Sequence, residues 1–230
     1  MKTLTADIYK FSLPSKVALA LTSIFAAAGF TWPFFAPDLE TAQFAQYFFW
    51  IAMPLAFILL LTQLSDRTLD AKSVALLGML AALLAALRPL GAGAVGLEPM
   101  WFLLILAARV FGSAFGFLLG ALGMLTSALF TGGIGPWLSY QIFAAGLIGL
   151  FAGSFAKRLR GWREQIFLLF IAIISSLTYG LLMDLQFWPW VLGSNTQLSY
   201  IPGGALSENL SRFITFHFAS SMAWDIPRAI

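Results

Sequence analysis

Long blocks of apolar residues, separated by short polar loops, run along the whole chain. The blocks show neither the alternation of a half-buried strand nor the single apolar stripe of a surface helix, so most helices are apolar all round. Such helices are typical of membrane spans, and crossing about 30 Å of hydrocarbon takes about 20 residues. The pattern predicts seven or eight segments, at 15–35, 44–64, 71–87, 99–110, 112–130, 136–155, 166–185 and from about 209 onward.

The first two segments are joined by a short loop and predict a separate transmembrane hairpin over residues 1–70. The other six predict a compact bundle over residues 71–230, so the fold class is an all-α integral membrane protein. The last helix reaches only about 30 Å by Ile230, and it carries Asp225 and Arg228 without the basic stop that follows other spans. We therefore expect this helix to be truncated, with roughly 10 to 30 further residues in the natural gene.

Composition excludes several classes of protein. Only 10% of the residues are charged, against about a quarter in a soluble domain, and 60% are hydrophobic. The chain has no cysteine and one histidine, His217, so thiolate catalysis, iron–sulfur clusters and cysteine-based metal sites have no ligands. The net charge of +3 comes from bases between the apolar blocks, where they orient a protein in the membrane. Neither nucleic-acid binding nor a cofactor or metal is expected.

Basic residues in the loops predict the orientation. Segment 99–110 is short, and a re-entrant segment there would place the cluster from Lys157 to Arg163 outside. If every segment crosses and the N-terminus is cytoplasmic, ten of the 13 Lys and Arg residues lie inside, as the positive-inside rule requires. This arrangement places Arg88 and Glu98 together on the outer face. Arg109 marks an inner helix end, where we expect it to snorkel towards water.

A binding site is predicted at this outer face. Arg88 precedes a glycine-rich turn whose backbone would approach a ligand, and we expect Arg88 to hold an acidic or carbonyl-bearing group. Aromatic rings would pack against the ligand and amides would supply hydrogen bonds. The predicted substrate-binding residues are Arg88, Gly91, Gly93, Glu98, Trp137, Gln141, Trp190 and Asn195. The alternatives are a snorkelling arginine and an interfacial belt of aromatic residues.

Small residues four apart on three helices would let backbones approach closely, which is how helices associate in lipid. The ladders are Gly78, Ala82 and Ala86; Gly112, Gly116 and Gly120; and Ala145, Gly149 and Gly153. Internal packing of the bundle is the favoured explanation for the second and third ladders. The first lies on a wider face with Ala71, Ala75, Ala81 and Ala85, which would also suit docking of a partner's helix.

Other ionisable residues lie in or near the spans. Asp184 is expected to be solvated at an outer helix end. His217 has no companion histidine or cysteine, so we expect a neutral residue that is packed or hydrogen-bonded. Asp225 and Arg228, three apart on one helix face, are expected to form an ion pair within the membrane.

The chain also carries a set of separated motifs. They are Leu87-Arg88-Pro89-Leu90-Gly91-Ala92-Gly93, Glu98-Pro99, Ala108-Arg109-Val110-Phe111-Gly112, Gly133-Ile134-Gly135-Pro136-Trp137 with Gln141, and Trp224-Asp225-Ile226-Pro227-Arg228-Ala229. Together they resemble the substrate-binding S components of energy-coupling factor (ECF) vitamin transporters, over residues 71–230. The resemblance implies a six-helix bundle in the bacterial plasma membrane that binds a vitamin or related micronutrient at its outer face, with a leaning towards a cobalamin-type or unassigned vitamin. It also implies that the 71–87 helix docks a transmembrane T component, which is coupled to two cytoplasmic ATPases, and we place that docking on Gly78, Ala82 and Ala86.

A binding and translocation subunit, not an enzyme, is the leading hypothesis. No Walker A pattern occurs, so energy for transport comes from another polypeptide or from a gradient. One alternative is a self-contained secondary carrier, for which no convincing inverted repeat is visible. The other is an intramembrane enzyme using His217 with Glu98, Asp184 or Asp225, which lacks a histidine-rich metal box and a Gly-x-Ser-x-Gly elbow.

Overall fold

The computed structural model describes residues 11–35, 70–91, 98–155, 159–191 and 196–229, together with single helical positions between 47 and 62. Within these residues the chain forms eight α-helices and two short 3-10 turns, and no strand. The helices are α1 (Leu13–Thr31), α2 (Ala71–Leu87), α3 (Pro99–Phe111), α4 (Ser113–Thr131), α5 (Leu138–Gly153), α6 (Trp162–Val191), α7 (Leu206–Ser220) and α8 (Met222–Ala229). The turns are Trp32–Phe34 and Arg88–Gly91.

Four of the described stretches are long and apolar enough to cross a membrane: Leu13–Phe34, Ala71–Gly91, Ser113–Thr131 and Trp162–Val191. Helices α3 and α5 are apolar but shorter. The predicted class, an all-α multi-pass membrane protein, is confirmed. The predicted segment 44–64 lies largely outside the described residues, and the division of the chain at residue 70 stays a prediction.

Local chemistry sets several helix boundaries. The side chain of Asp70 accepts a hydrogen bond from the Ser73 amide at 2.8 Å and so caps the start of α2. Pro99 begins α3, a position where its missing N–H costs nothing. Gly112 has a φ of 98°, which a residue with a side chain rarely adopts, and it separates α3 from α4. The chain therefore changes direction between these two helices within one residue.

Helices α4 and α5 form the most extensive helix pair in the described part of the chain. A Cβ atom added to Gly149 would lie 2.0 Å from the Gly116 carbonyl oxygen. One added to Gly120 would lie 2.3 Å from the carbonyl oxygen of Ala145. Only small residues allow this approach, so the predicted internal packing of these two ladders is confirmed.

Helix α2 packs on α4 through one face only. The face of α2 that meets α4 buries four side chains, those of Leu77, Ala81, Leu84 and Ala85. Ala81 and Ala85 are therefore not part of the exposed small-residue face. Gly78, Ala82 and Ala86 lie on the opposite, exposed side of the helix. A Cβ atom at Gly78 would meet no atom within 4 Å. The predicted docking ladder is therefore accessible, but the small-residue face around it is narrower than the sequence suggested.

Helix α3 packs along α6 and contacts it near both of its own ends. Near its start, Trp101 packs against the Tyr179 ring of α6, with centroids 4.5 Å apart. Close to its end, Arg109 pairs with Glu164 in the first turn of α6 at 2.8 Å. The two α6 residues are separated by about 22 Å at 1.5 Å per residue. Helix α3 therefore joins the two ends of this part of the bundle, and its crossing of the membrane stays a prediction. The ends are called the Arg88 end and the Arg109 end below.

The prediction that Arg109 snorkels is wrong. Its side chain is buried, and its Nε and Nη2 atoms donate to the two carboxylate oxygens of Glu164 at 2.8 and 3.2 Å. Nη1 donates to the Phe155 carbonyl oxygen, and the guanidinium lies over the Phe167 ring. The sequence pattern did not reveal that Glu164 supplies the opposite charge. Arg109 therefore ties the ends of α3 and α5 to the start of α6.

The last two helices also depart from expectation. Helix α6 extends well beyond the predicted 166–185, to Val191. Helix α7 begins at Leu206, close to the predicted start, but it ends at Ser220. The short α8 then packs along α6, where the Ser176 hydroxyl donates to the Asp225 carbonyl oxygen at 2.6 Å. Arg228 lies 3.4 Å from Glu98. We expected one continuous last helix, cut off in mid-membrane with Asp225 and Arg228 on it, but the helix breaks at Ser221 and both residues lie at the Arg88 end.

Candidate functional site

Arg88 links three elements at the Arg88 end. Its Nη2 donates to the Gln141 amide oxygen at 3.0 Å, and its Nη1 lies 3.5 Å from the Ser127 hydroxyl. Among the described residues, no carboxylate lies within ion-pair distance of Arg88. Two of the predicted site residues, Arg88 and Gln141, are thus in direct contact, and this arginine has neutral hydrogen-bond partners.

Glu98 belongs to a second group at the same end. Its carboxylate accepts a hydrogen bond from the Trp101 indole N–H and lies 3.4 Å from the Nε of Arg228. Arg228 in turn pairs with Asp225 at 2.6 Å, which confirms the predicted ion pair. The Ser221 hydroxyl donates to the other oxygen of Asp225, also at 2.6 Å. The buried Asp225 carboxylate therefore has a partner for each oxygen.

Tyr179 of α6 contacts the second group. The Arg228 guanidinium sits over its ring at 5.2 Å. We call Arg88, Glu98, Gln141, Tyr179 and Arg228 the polar centre. With Asp225 included, two positive and two negative groups balance one another there.

A cavity of about 350 Å³ opens beside the polar centre, between α3, α6 and α8. Glu98, Trp101, Ser175 and Arg228 line its polar part, and apolar side chains line the rest. Ser175 is 3% exposed, and within the described residues neither its hydroxyl nor the Nε of Arg228 has a hydrogen-bond partner. An unpaired buried hydroxyl is costly, so Ser175 favours a ligand that accepts a hydrogen bond.

The other predicted site residues are scattered. Gly91 is buried in the turn that follows α2. Trp137 is 44% exposed, and its ring lies over Gly135 of the same loop. Trp190 packs against Trp32, with ring centroids 5.6 Å apart. Gly93 and Asn195 lie outside the described residues. No described contact of Trp137 or Trp190 reaches the polar centre.

Sequence reasoning missed several residues of the site. Trp101 was assigned only to a general aromatic surface, whereas it donates to Glu98 three residues before it. Ser175 and Tyr179 were not singled out at all. A signal was present, because Ser175 and Ser176 are adjacent hydroxyls inside an otherwise apolar block. Polar residues at such positions are candidates for function by their cost alone.

Two other predictions concern the pair His217 and Asp184. His217 Nδ1 lies 2.8 Å from a carboxylate oxygen of Asp184, so the expectation of a hydrogen-bonding histidine is confirmed. The expectation that Asp184 is solvated is wrong, because its side chain is only 15% exposed. Within the described residues, no group of three or more potential metal ligands occurs.

Comparison with known proteins gives one informative result. No curated protein and no solved structure matches the chain. The model of one family, described as ECF-type riboflavin transporter, S component, matches residues 68–211. The match covers well over half of the chain and runs from the cap of α2 into α7. It is a transporter family and not an enzyme family, as the motifs predicted. The chain belongs to this family of S components of ECF-type riboflavin transporters.

Proposed function

We propose that this chain binds a flat, uncharged vitamin of riboflavin type at the polar centre and delivers it with a T component and two ATPases. The family match supports a vitamin-specific membrane subunit, and its name supports a flavin. The single observation that carries the site is the cavity beside Trp101, which is lined by the unpaired hydroxyl of Ser175 and by the guanidinium of Arg228. An indole wall with nearby polar groups suits a flat heterocycle with carbonyl oxygens.

Size and charge narrow the substrate. The cavity, at about 350 Å³, lies within the usual range for small organic ligands and near its lower limit. A corrinoid is several times larger than a flavin, so a flavin-sized vitamin replaces the cobalamin-type substrate that the motifs favoured. Arg228 pairs with Glu98 and Asp225, and the charges of these three residues and Arg88 sum to zero, so the site as a whole does not favour an anionic ligand. Arg88 would then hold a carbonyl and not an acid.

The proposal includes an orientation and a docking face. Bases in the connecting loops favour a cytoplasmic N-terminus, which places the Arg88 end outside. A vitamin would therefore reach the polar centre from the outer side. The exposed ladder Gly78, Ala82 and Ala86 would face the T component, since small residues allow close helix approach in lipid.

Replacing Ser175 with alanine tests the site. If a ligand carbonyl accepts from the Ser175 hydroxyl, Ser175→Ala should weaken riboflavin binding about 3- to 10-fold, the usual worth of one neutral hydrogen bond. Thermal stability should not fall, because the hydroxyl has no partner in the free protein. Titration of the purified protein with riboflavin, followed by quenching of flavin fluorescence, measures the affinity.

Ser139 provides the matched control. It is also a buried serine whose hydroxyl lacks a partner, but it lies on α5 and does not line the cavity. Ser139→Ala should therefore bind riboflavin as the wild type does. Equal affinity of wild type and Ser175→Ala would remove Ser175 from the site. A wild-type protein that binds no riboflavin would refute the proposed substrate.

A further inference from the structure

A second cavity, of about 310 Å³, extends from the polar centre along α6. Tyr179 and Arg228 line one end, and Phe187 and Val191 line the other, about 18 Å away along the helix axis. Phe187 and Val191 are exposed, so the cavity opens at the terminus of α6. We infer that this cavity is the passage by which ligand reaches the polar centre, and that the Trp32–Phe34 turn controls its width. The inference rests on the proposed function for the identity of the ligand.

The Trp32–Phe34 turn joins the two walls of the passage. Phe34 stacks on Trp188 of α6 with centroids 6.0 Å apart, and it meets Phe213 of α7 edge-on at 5.8 Å. Trp32 lies 5.6 Å from Trp190 and 5.4 Å from Tyr200. Each ring of the turn thus contacts two rings, and aromatic pairs of this geometry are favourable beyond the area that they bury. The turn therefore holds α6 and α7 at one spacing.

The turn lies beside the passage and does not block it. Trp188 and Phe213 contact the turn, whereas the neighbouring Phe187 and Phe216 line the cavity. Separation of α6 from α7 would widen the passage, and it would break the contacts of Phe34. The contacts of the turn are formed in this structure, since Trp32 is 8% exposed and Trp188 is fully buried.

A contact between α1 and α5 anchors the turn to the rest of the bundle. Phe30, at the end of α1, meets Tyr140 of α5 edge-on with centroids 5.0 Å apart. Both rings are buried. Residues 11–35 lie outside the stretch that matches the family model. The clasp formed by α1 and the turn is thus an addition to the matched part of the chain.

The connection between α6 and α7 is braced separately. Arg212 donates to the carbonyl oxygens of Thr196 and Gln197 at 3.1 and 3.0 Å. The Asn209 amide bonds both the N–H and the carbonyl oxygen of Ile201. These bonds fasten residues 196–201 to α7, so this stretch moves with that helix. Opening of the passage therefore requires α6 to separate from α7, which breaks the contacts of the turn and also the direct contacts of Asp184 with His217 and of Trp188 with Phe213.

The absence of cysteine allows a direct test of access. Met183 lines the passage and is partly buried, so Met183→Cys places one thiol inside it. The rate at which a small, water-soluble thiol reagent modifies that cysteine reports how often the passage opens. Trp32→Ala in this background removes two ring contacts and should raise the rate about tenfold. Phe35→Ala is the control, since Phe35 is 72% exposed, and it should leave the rate unchanged.

Release of bound riboflavin is the second measurement. Trp32→Ala should speed dissociation by about tenfold, and association should rise with it, so that the affinity changes much less than either rate. Phe34→Leu keeps an apolar side chain at the turn and is the alternative variant if Trp32→Ala does not fold. It should also raise the rates of thiol modification and of riboflavin release.

The outcomes separate the two proposals. Thiol modification needs no ligand, so it tests the clasp even if the wild-type protein binds no riboflavin. Failure to bind riboflavin would refute only the proposed function. Equal modification rates in the Trp32→Ala, Phe34→Leu and Phe35→Ala backgrounds would overturn the clasp. Faster modification with unchanged riboflavin release would overturn the role of this cavity as the ligand passage.

Discussion

Replacing Ala82 or Ala86 with leucine should abolish ATP-dependent vitamin uptake while leaving riboflavin affinity intact. Both alanines are exposed on the side of α2 that faces away from α4, and Gly78 lies on the same ladder. In lipid, helices associate through close van der Waals contact, and a leucine side chain would hold the partner's helix away. The polar centre contains neither alanine, so binding should survive. Uptake by cells or vesicles and titration with riboflavin measure the two effects.

The control for docking is Ala20→Leu. Ala20 is an exposed alanine of α1, on a helix that is also apolar enough to span the membrane. The same added bulk there should change neither uptake nor co-purification of the T component. Normal uptake by both Ala82→Leu and Ala86→Leu would place the docking surface elsewhere on the bundle.

Helix boundaries were predictable where a local signal fixed them. The predicted 71–87 segment agrees with α2 at both ends, because Asp70 caps its start and a proline follows Arg88. The predicted 166–185 segment was too short. Trp188-Pro189-Trp190 has the composition of a loop, yet α6 continues through it to Val191. Burial of Trp188 among the rings of the turn and of α7 outweighs the weak local preference.

The sequence predicted only part of the candidate site, because local signals do not reveal long-range pairing. Arg88 and Gln141 were chosen because each is a polar residue near a helix end, and they are in contact. The pairing of Glu98 with Arg228 joins residues 130 positions apart, and it depends on the helix break at Ser221. The position of Arg228 beside Glu98 depends on the length of α6 and on that break. The sequence pattern predicted neither, so this position could not be derived from it.

One substitution at two glycines should give opposite effects on stability. Gly149→Ala would place a Cβ atom 2.0 Å from the Gly116 carbonyl oxygen, and this contact involves backbone, which no change of rotamer relieves. Helices α4 and α5 would have to separate along their whole interface. Overpacking of a core typically costs about 1–3 kcal/mol, and we expect a loss at or above that range.

Gly78→Ala is the matched substitution at an open position. Its Cβ atom would meet nothing within 4 Å, and alanine in a helix interior is favoured over glycine by about 1 kcal/mol. The melting temperature in detergent, measured with riboflavin absent, should therefore fall sharply for Gly149→Ala and stay level or rise for Gly78→Ala. If the two variants melted at the same temperature, the close contact of α4 with α5 would not be what holds the bundle together. The same result would weaken the distinction between the buried and the exposed small-residue ladders, on which the assignment of Gly78, Ala82 and Ala86 to docking depends.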